Sequence, residues 1–380
     1  MRPVSAVPRV VEVVDDRLLD VLLGLPAAMA GADPGFVAPI IAWQRRRVRA
    51  LAGTLGDGRL RLFLAFEGDR PVGSISVLQD ADYQAVHKDK VAFFGFFWCP
   101  GSPDTAALLL DHAADVARAA GATVLRGPRD LSRVEAVGLT VEGFNSPPPF
   151  LASHSPAHLP ALVEAQGFVG HHDVLAYEIA LKRPDGGDVP LPDKLAQKAA
   201  SVDIAGLELR PLRWARWRKD LTLAHTVFVD AFRDVPDNTP MSREQFVGIG
   251  GGLLAVTQRH MLQLATVHGE AAGFALCFPE VNEALRHAQG RLLPTGAVRV
   301  LRAARTVRTA SFKLLGVLPA HRGSGLHAAL IAAAIQGVRR AGYSRLEASL
   351  IDARNAPMRA IVEGAGMQIY RRYRIYERAL

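Results

Sequence analysis

The chain repeats itself, and that constrains its fold more than any other feature. Ala161-Leu-Val-Glu-Ala-Gln-Gly-Phe168 matches Ala360-Ile-Val-Glu-Gly-Ala-Gly-Met367, and the register then runs on without a gap at an offset of 199 residues. Tyr177-Glu178 therefore falls on Tyr376-Glu377, and Ala180-Leu181 on Ala379-Leu380. Upstream, Leu109 to Gly121 resembles Leu330 to Gly342 at an offset of 221, so the first copy carries 22 extra residues between its two shared helices. Self-similarity of this kind marks one folding unit used twice. At 380 residues the chain also exceeds what one hydrophobic core usually serves.

Both copies show the same order of elements. An apolar strand (Val91 to Phe97; Phe312 to Leu318) passes through a Gly/Pro loop into an amphipathic helix closed by Gly121 or Gly342. A short strand, a second helix and a final strand follow. Earlier, Leu60–Phe66 with Val72–Val77, and Met261–Val267 with Ala272–Phe278, read as strand–turn–strand hairpins. The expected organisation is α/β, with domains at 1–182 and 203–380 joined by a linker at 183–202 rich in Pro, Gly, Asp and Lys.

Several function classes recede on composition. Cys99 and Cys277 lie far apart with no C-x-x-C pair or His cluster nearby, so both read as small buried hydrophobes, and neither a disulfide nor a metal site is expected. The N-terminus lacks an apolar signal core, and the longest apolar stretch, Ala328 to Ile335, is far short of the ~20 residues of a spanning helix. A cytoplasmic protein is expected. The net charge of +8 suits an anionic cofactor or an anionic membrane face; with 7% aromatics and no RNP-like segment, nucleic acid is the weakest partner.

The sharpest local feature is the segment Gly316-Val-Leu-Pro-Ala-His-Arg-Gly-Ser-Gly-Leu-His-Ala328, which runs into a helix. A strand, then Arg322-Gly323-Ser324-Gly325, then a helix supplies free amides, a close approach permitted by glycine and a positive helix end. Together these suit a diphosphate. It is not a P-loop, which ends in Gly-Lys-Ser/Thr, nor a dinucleotide fingerprint. A plain strand-to-helix turn is the alternative.

The loop closely resembles the coenzyme-A motif of GNAT acyltransferases, V-x-P-x-x-R-G-x-G-x-G/A before a long helix. Asn355 with Gly366-Met367 resembles the family's N-x-x-A…G-F segment, although Met358 replaces the alanine. The resemblance implies two tandem GNAT-like domains (α+β), each a mixed, mostly antiparallel sheet flanked by helices. It implies acyl-CoA as co-substrate and no metal. By position, Arg322, Gly323, Ser324, Gly325 and His327 would surround the diphosphate, Leu315 and Val317 would offer backbone groups to the pantetheine, and Asn355 would complete the site. His327 stands where a glycine is usual, and the family's general-acid tyrosine falls on Val362.

Another donor, or solvent, must then protonate the leaving thiolate. Tyr370 and Tyr373 are the candidates, because Tyr376 has a counterpart at Tyr177 and so reads as structural; all three are equally consistent with sheet packing. Glu347, on the strand Arg345 to Ile351, is the candidate base, with an exposed ion pair as its alternative. Asp230 and Asp234 are weaker candidates.

At the 221 offset, Arg322, Gly323 and Gly325 correspond to Gly101, Ser102 and Asp104, and Pro100 and Pro103 remove donors, so the first copy is expected to have lost its coenzyme. Its insertion, within Arg126 to Phe150, reads as a substrate-shaping element. The pattern G-P, G-L-x-V-E-G-F, P-P and Y-R-x-Y resembles a bacterial tandem-GNAT group that includes ceramide synthases. That resemblance implies N-acylation of a lipid amine such as a sphingoid base, with Arg129 and Asp130 as departures from the group. Acetylation of a small amine and non-catalytic acyl-CoA binding are the alternatives.

Finally, Leu292 to Arg308 reads as a helix with Val300, Leu301, Ala304 and Val307 on one side and Arg299, Arg302 and Arg305 on the other. Such a helix suits either core packing or a peripheral contact with an anionic leaflet.

Overall fold

The computed structural model describes residues 8–380, except 32, 34, 57, 133–134, 153, 240, 255, 289 and 291–294. In the first copy β1 (Arg9–Glu12) precedes α1 (Asp16–Ala30) and α2 (Ile41–Ala52). The expected hairpin forms as β2 (Leu60–Glu67) and β3 (Arg70–Leu78), followed by α3 (Ala81–His87), β4 (Val91–Trp98), α4 (Pro103–Ala119) and β5 (Val124–Gly127). The insertion supplies β6 (Arg129–Ser132), β7 (Glu135–Val137) and β8 (Leu139–Glu142); α5 (Leu159–Ala165) and β9 (Val169–Ala180) close the copy. Helix α4 forms because Leu109, Leu110, Ala113, Ala114 and Ala117 recur at helical spacing and are fully buried against the sheet.

The second copy repeats this order. After α6 (Asp193–Ala200) come β10 (Leu207–Pro211), α7 (Trp217–Ala231), α8 (Arg243–Leu254) and the hairpin β11 (Leu262–Val267) with β12 (Glu270–Pro279). Then follow α9 (Asn282–Leu285), α10 (Gly296–Ala304), β13 (Thr309–Val317), α11 (Leu326–Arg340), β14 (Arg345–Asp352), α12 (Ala356–Gly364) and β15 (Gln368–Ala379). The duplication extends to packing: a Cβ on Gly73 would lie 2.8 Å from Leu109 Cδ1, and one on Gly273 would lie 2.8 Å from Leu330 Cδ1.

Two compact units result, and neither is a contiguous copy. One comprises the described parts of Met1–Leu175, Asn282–Arg305 and Arg371–Leu380, and the other those of Ala176–Val281 and Thr306–Tyr370. In unit 1 the hydrogen-bonded order is β1-β2-β3-β4-β5-β15, with β4 and β5 parallel and β8 also paired to β15. In unit 2 it is β10-β11-β12-β13-β14, with only β13 and β14 parallel. Both sheets are mixed and mostly antiparallel.

The contiguous boundaries at 182 and 203 give way because the final strands are exchanged. From Arg372 on, β15 bonds the first copy, first β8 and then, from Tyr376, β5, while the end of β9 belongs to unit 2. Matching bonds hold the exchange: Tyr376 Oη donates to Glu164 at 3.0 Å in unit 1, and Tyr177 Oη donates to Glu363 at 2.9 Å in unit 2. The segment 183–202 is not a bare linker either, since α6 packs on α11. The helix expected over 292–308 forms as α10, with 292–294 outside the described residues, and it belongs to unit 1.

The exchange places Arg371 in the interior of unit 1, fully buried. Its guanidinium donates to the carbonyls of Gly143 (3.1 Å) and Ser146, to Thr140 Oγ1 (3.0 Å) and to His154 Nδ1 (2.9 Å). Because arginine only donates, His154 Nδ1 accepts, and Nε2–H is left to donate to Asp33 Oδ2 at 2.7 Å. Burial holds His154 below the ordinary histidine range, consistent with a neutral ring. Breaking such a buried charged network costs about 3 kcal/mol. Arg371→Met is therefore expected to lower the melting temperature by roughly 6–12 °C for a unit of this size. A calorimetric shift under about 2 °C would contradict this anchoring role.

Candidate active site

The site in unit 2 begins where two strands part. The parallel pairing of β13 with β14 runs from Thr309↔Arg345 to Phe312↔Ala348 and stops there. Beyond it, β13 stays bonded to β12 through Leu276↔Leu314, Ala275↔Leu315, Phe274↔Gly316 and Gly273↔Val317. Its other edge, past Phe312, faces no strand among the described residues. On β14 the bend coincides with Leu350, whose φ of +61° is rare for a branched side chain. An extended ligand carrying amides can add to such an edge as a strand would. Leu315 and Val317 both lie on this stretch, half-buried.

At the far end of β13 the chain enters the expected loop. Gly323 (φ +82°) and Gly325 (φ +87°) are both left-handed, and a Cβ on Gly325 would lie 2.9 Å from the carbonyl oxygen of Lys198. Only glycine fits that contact. Ser324 Oγ donates to the His321 carbonyl at 2.7 Å and accepts from Leu326 N at 3.3 Å, which shapes the turn. The amides of Gly323, Ser324, Gly325 and His327 take no acceptor among the described residues and sit at the positive end of α11. Arg322, Gly323 and Ser324 are exposed, and His327 is half-buried. Burial, with Lys198 nearby, lowers the His327 pKa. Lys198 comes from the segment read as linker and adds a cation at this end of the helix.

At the other end, where the strands part, lies a buried polar group. Glu347, 2% exposed, is opposite Ser311 in the register, and its Oε1 is 3.0 Å from Lys313 Nζ. The Lys313 side chain is only 10% exposed and also bonds Ser349 Oγ. Ser311 Oγ donates to the buried Glu280 at 3.2 Å. Burial raises the Glu347 pKa, and Lys313 opposes that rise. Cys277 is buried too, and burial together with the Glu347 charge pushes its thiol well up, so it is no nucleophile. Glu347 is thus a buried ion-paired carboxylate, not an exposed one. Lys313 was missed in the sequence, although a single lysine inside Phe312-Lys-Leu-Leu-Gly-Val317 is an anomaly in a buried strand.

The remaining candidates disperse. Asn355 Oδ1 accepts from Met358 N at 3.2 Å and caps α12. Val362, in the place of the usual tyrosine, is buried. Tyr370 is half-buried at the end of unit 2. Tyr373 belongs to unit 1, fully buried with the Arg371 guanidinium 5.4 Å from its ring centre. Asp230 is ion-paired to Arg233, and Asp234 is exposed just past α7.

The chain is 30% identical to the bacterial ceramide synthase of Caulobacter vibrioides over 367 residues, covering 94% of each chain. It belongs to the bacterial ceramide synthase family. Protein YghO of Escherichia coli is 23% identical over 95% of this chain and 93% of its own. No family model matches. Among solved structures, a tandem GNAT protein from the clavulanic acid biosynthesis pathway superposes with a TM-score of 0.56 at 18% identity, covering 98% of both chains. A GCN5-related N-acetyltransferase from Sphaerobacter thermophilus gives 0.54 at 15% identity, covering 97% of this chain and 95% of its own. The fold is the GNAT fold in tandem, and the protein is an N-acyltransferase.

This family member uses its two partings differently. In unit 1, β4 and β5 pair from Val91↔Val124 to Phe93↔Arg126 and then separate. Strand register places Ala92 at the position of Ala310 and Trp98 at that of Gly316, an offset of 218. This corrects the 221 offset for the strand: the second copy's strand-to-helix connection is three residues longer, which gives its loop room. Gly95 then stands at Lys313 and Arg126 at Glu347. A Cβ on Gly95 would lie 2.3 Å from the Arg129 carbonyl, so β6 runs against β4 where unit 2 is open. Asp130 Oδ1 accepts from the Phe96 amide at 2.7 Å. Ser102 caps α4, and Pro103 removes one of its donors. The insertion fills the first copy's cleft with its own chain.

Asp130 is half-buried, and the desolvation of its carboxyl raises its pKa to about 7. The unfolded chain ionises near 3.8, so above that value the folded state holds the proton more tightly and stability falls as pH rises toward 7. Asp130→Asn keeps the acceptor and removes the charge. Its melting temperature is expected to exceed the wild type's at pH 8, with the gain shrinking as pH drops toward about 4. A gain independent of pH would show that Asp130 does not titrate as a buried acid.

Proposed function

We propose that unit 2 transfers an acyl group from an acyl-CoA thioester to a primary amine by direct attack. We further propose that the donor is long-chain and the acceptor a lipid amine of the sphingoid type. The observation that carries this is one strand with a free edge, ended by free amides and Arg322 and begun by a buried carboxylate. The residues fit the coenzyme: the loop amides suit a diphosphate, and the edge from Leu314 to Val317 suits the amides of the pantetheine arm. The lipid part rests on the relative in Caulobacter vibrioides, named for ceramide synthesis.

In this reading the diphosphate at Gly323–His327 directs the thioester back along β13 toward its parting from β14, about 13 Å for the four residues from Val317 to Lys313. Glu347 takes the proton that the amine loses on attack, and the burial that raises its pKa makes it a stronger base than an exposed carboxylate. Catalysis uses neither a metal nor a covalent enzyme intermediate. Unit 1, its cleft filled, binds no coenzyme, so one acyl-CoA binds per chain.

No helix among the described residues is long and apolar enough to cross a membrane. Helix α10 instead exposes Val298 (50%) and Leu301 (69%) beside Arg299, Arg302 and Arg305, which form no ion pair among the described residues. That combination supports peripheral contact with an anionic leaflet, where a lipid amine resides.

Purified protein given palmitoyl-CoA and a sphingoid base is expected to release thiol and form the amide, with acetyl-CoA at least about tenfold poorer. Turnover confined to acetyl-CoA with small amines would overturn the lipid assignment. Ser324→Asp, an exposed change, is expected to weaken palmitoyl-CoA binding at least about tenfold by placing a charge beside the diphosphate. Unchanged affinity would displace the coenzyme from this loop. Leu301→Glu should reduce co-sedimentation with anionic vesicles, and equal pelleting of both proteins would remove α10 from the membrane contact.

A further inference from the structure

Any thioester aminolysis must return a proton to sulfur, and the side chain this fold usually supplies for that is replaced by the buried Val362. Three observations converge on a different group. Lys313 is the first residue of β13 past the last paired position, so it stands at the mouth of the free edge. Its ammonium is held 3.0 Å from Glu347 Oε1 and bonded to Ser349 Oγ, with the side chain nearly buried. In the first copy, whose cleft is filled, the same two register positions carry Gly95 and Arg126, so the pair exists only in the copy that keeps its coenzyme loop.

A lysine inside a strand core is costly to bury, and a purely structural position would be served better by an apolar residue. We propose that Lys313 is the general acid that protonates the leaving thiolate, and that Glu347 is both the base for the amine and the group that reprotonates Lys313. This rests on the acyltransferase reading above.

The step balances without a further reactant. The amine lone pair forms the C–N bond at the thioester carbonyl, and the C–S bond breaks with its electron pair going to sulfur. The N–H proton passes to the Glu347 carboxylate. Lys313 gives a proton to sulfur and recovers one from Glu347, across the 3.0 Å that separates them. The products are the amide and the free thiol of CoA, and both side chains return to their starting charge. Tyr370 and Tyr373 have no part in this circuit.

The test compares Lys313→Met, Lys313→Arg and the charge-free double variant K313M/E347Q with wild type and Tyr370→Phe, using palmitoyl-CoA and a sphingoid base. The double variant guards against misfolding, because it leaves no unpaired charge in the core. Lys313→Met and the double variant are expected to bind palmitoyl-CoA within roughly threefold of wild type. Their kcat should fall by about 100-fold or more, the usual contribution of a positioned acid. Lys313→Arg keeps the positive charge beside Glu347 but holds its proton too tightly to release it, so its kcat should stay low. Tyr370→Phe should retain activity.

Recovery of kcat in Lys313→Arg would reduce Lys313 to an ion-pair partner and overturn the proposal. So would full activity in a folded Lys313→Met protein, or loss of activity in Tyr370→Phe alone. If wild type binds palmitoyl-CoA but acylates no amine, the functional reading itself fails and the proposal with it, an outcome distinct from turnover that is indifferent to position 313.

Discussion

The structure depends on a backbone constraint: two parallel strands that begin side by side leave facing N–H and C=O groups in need of other partners where they separate. The parting after Phe312↔Ala348 in unit 2 creates such an edge, and so does the parting after Phe93↔Arg126 in unit 1. One chain meets the need in two ways. In unit 1 the Asp130 carboxylate takes the Phe96 amide and the backbone of β6 closes on Gly95. In unit 2 no strand among the described residues takes the corresponding edge. The charge at the start of each parting follows the same division, with Lys313 and Glu347 where the edge is open and Gly95 and Arg126 where it is filled.

The exchange of final strands makes each unit depend on both copies. Unit 1 takes β15 from the second copy, and with it Arg371, which holds the carbonyls of Gly143 and Ser146 and, through His154, reaches Asp33. The inserted segment of the first copy is thus fixed by a residue near the end of the second. Neither copy is a closed unit alone. The reciprocal Tyr376–Glu164 and Tyr177–Glu363 bonds show the same dependence in both directions.

The sequence made the local features legible and left the non-local ones obscure. The hairpins, the helix ending at Gly342 and the loop around Gly323 and Gly325 follow from short-range rules of turn chemistry and periodicity, and the structure contains all of them. The final-strand exchange was hidden because β15 has the same pattern whichever sheet receives it. The 221 offset misaligned the strand because helix similarity fixed the register, whereas the pairing of Ser74 with Trp98 and of Phe274 with Gly316 is what counts. Glu347 was legible as a carboxylate on β14, but its partner was not, because Lys313 lies 34 residues away and meets it only through parallel pairing. Asn355 shows a local role that the motif did not announce, since its side chain caps α12.

Energetics favour reading the Lys313–Glu347 pair as a working element. A buried ion pair rarely stabilises a fold beyond what apolar residues of the same size would give. In the first copy the equivalent positions, Gly95 and Arg126, make no pair with each other, and Arg126 pairs instead with Glu377 on β15. What distinguishes the second copy is that its edge remains open and its loop retains free amides. There, desolvation raises the basicity of Glu347 and an ammonium lies 3.0 Å away, so under the proposed circuit one buried contact would couple the two opposite proton transfers that forming an amide from a thioester demands. An exposed pair at the same positions would exchange its protons with water and lose that coupling.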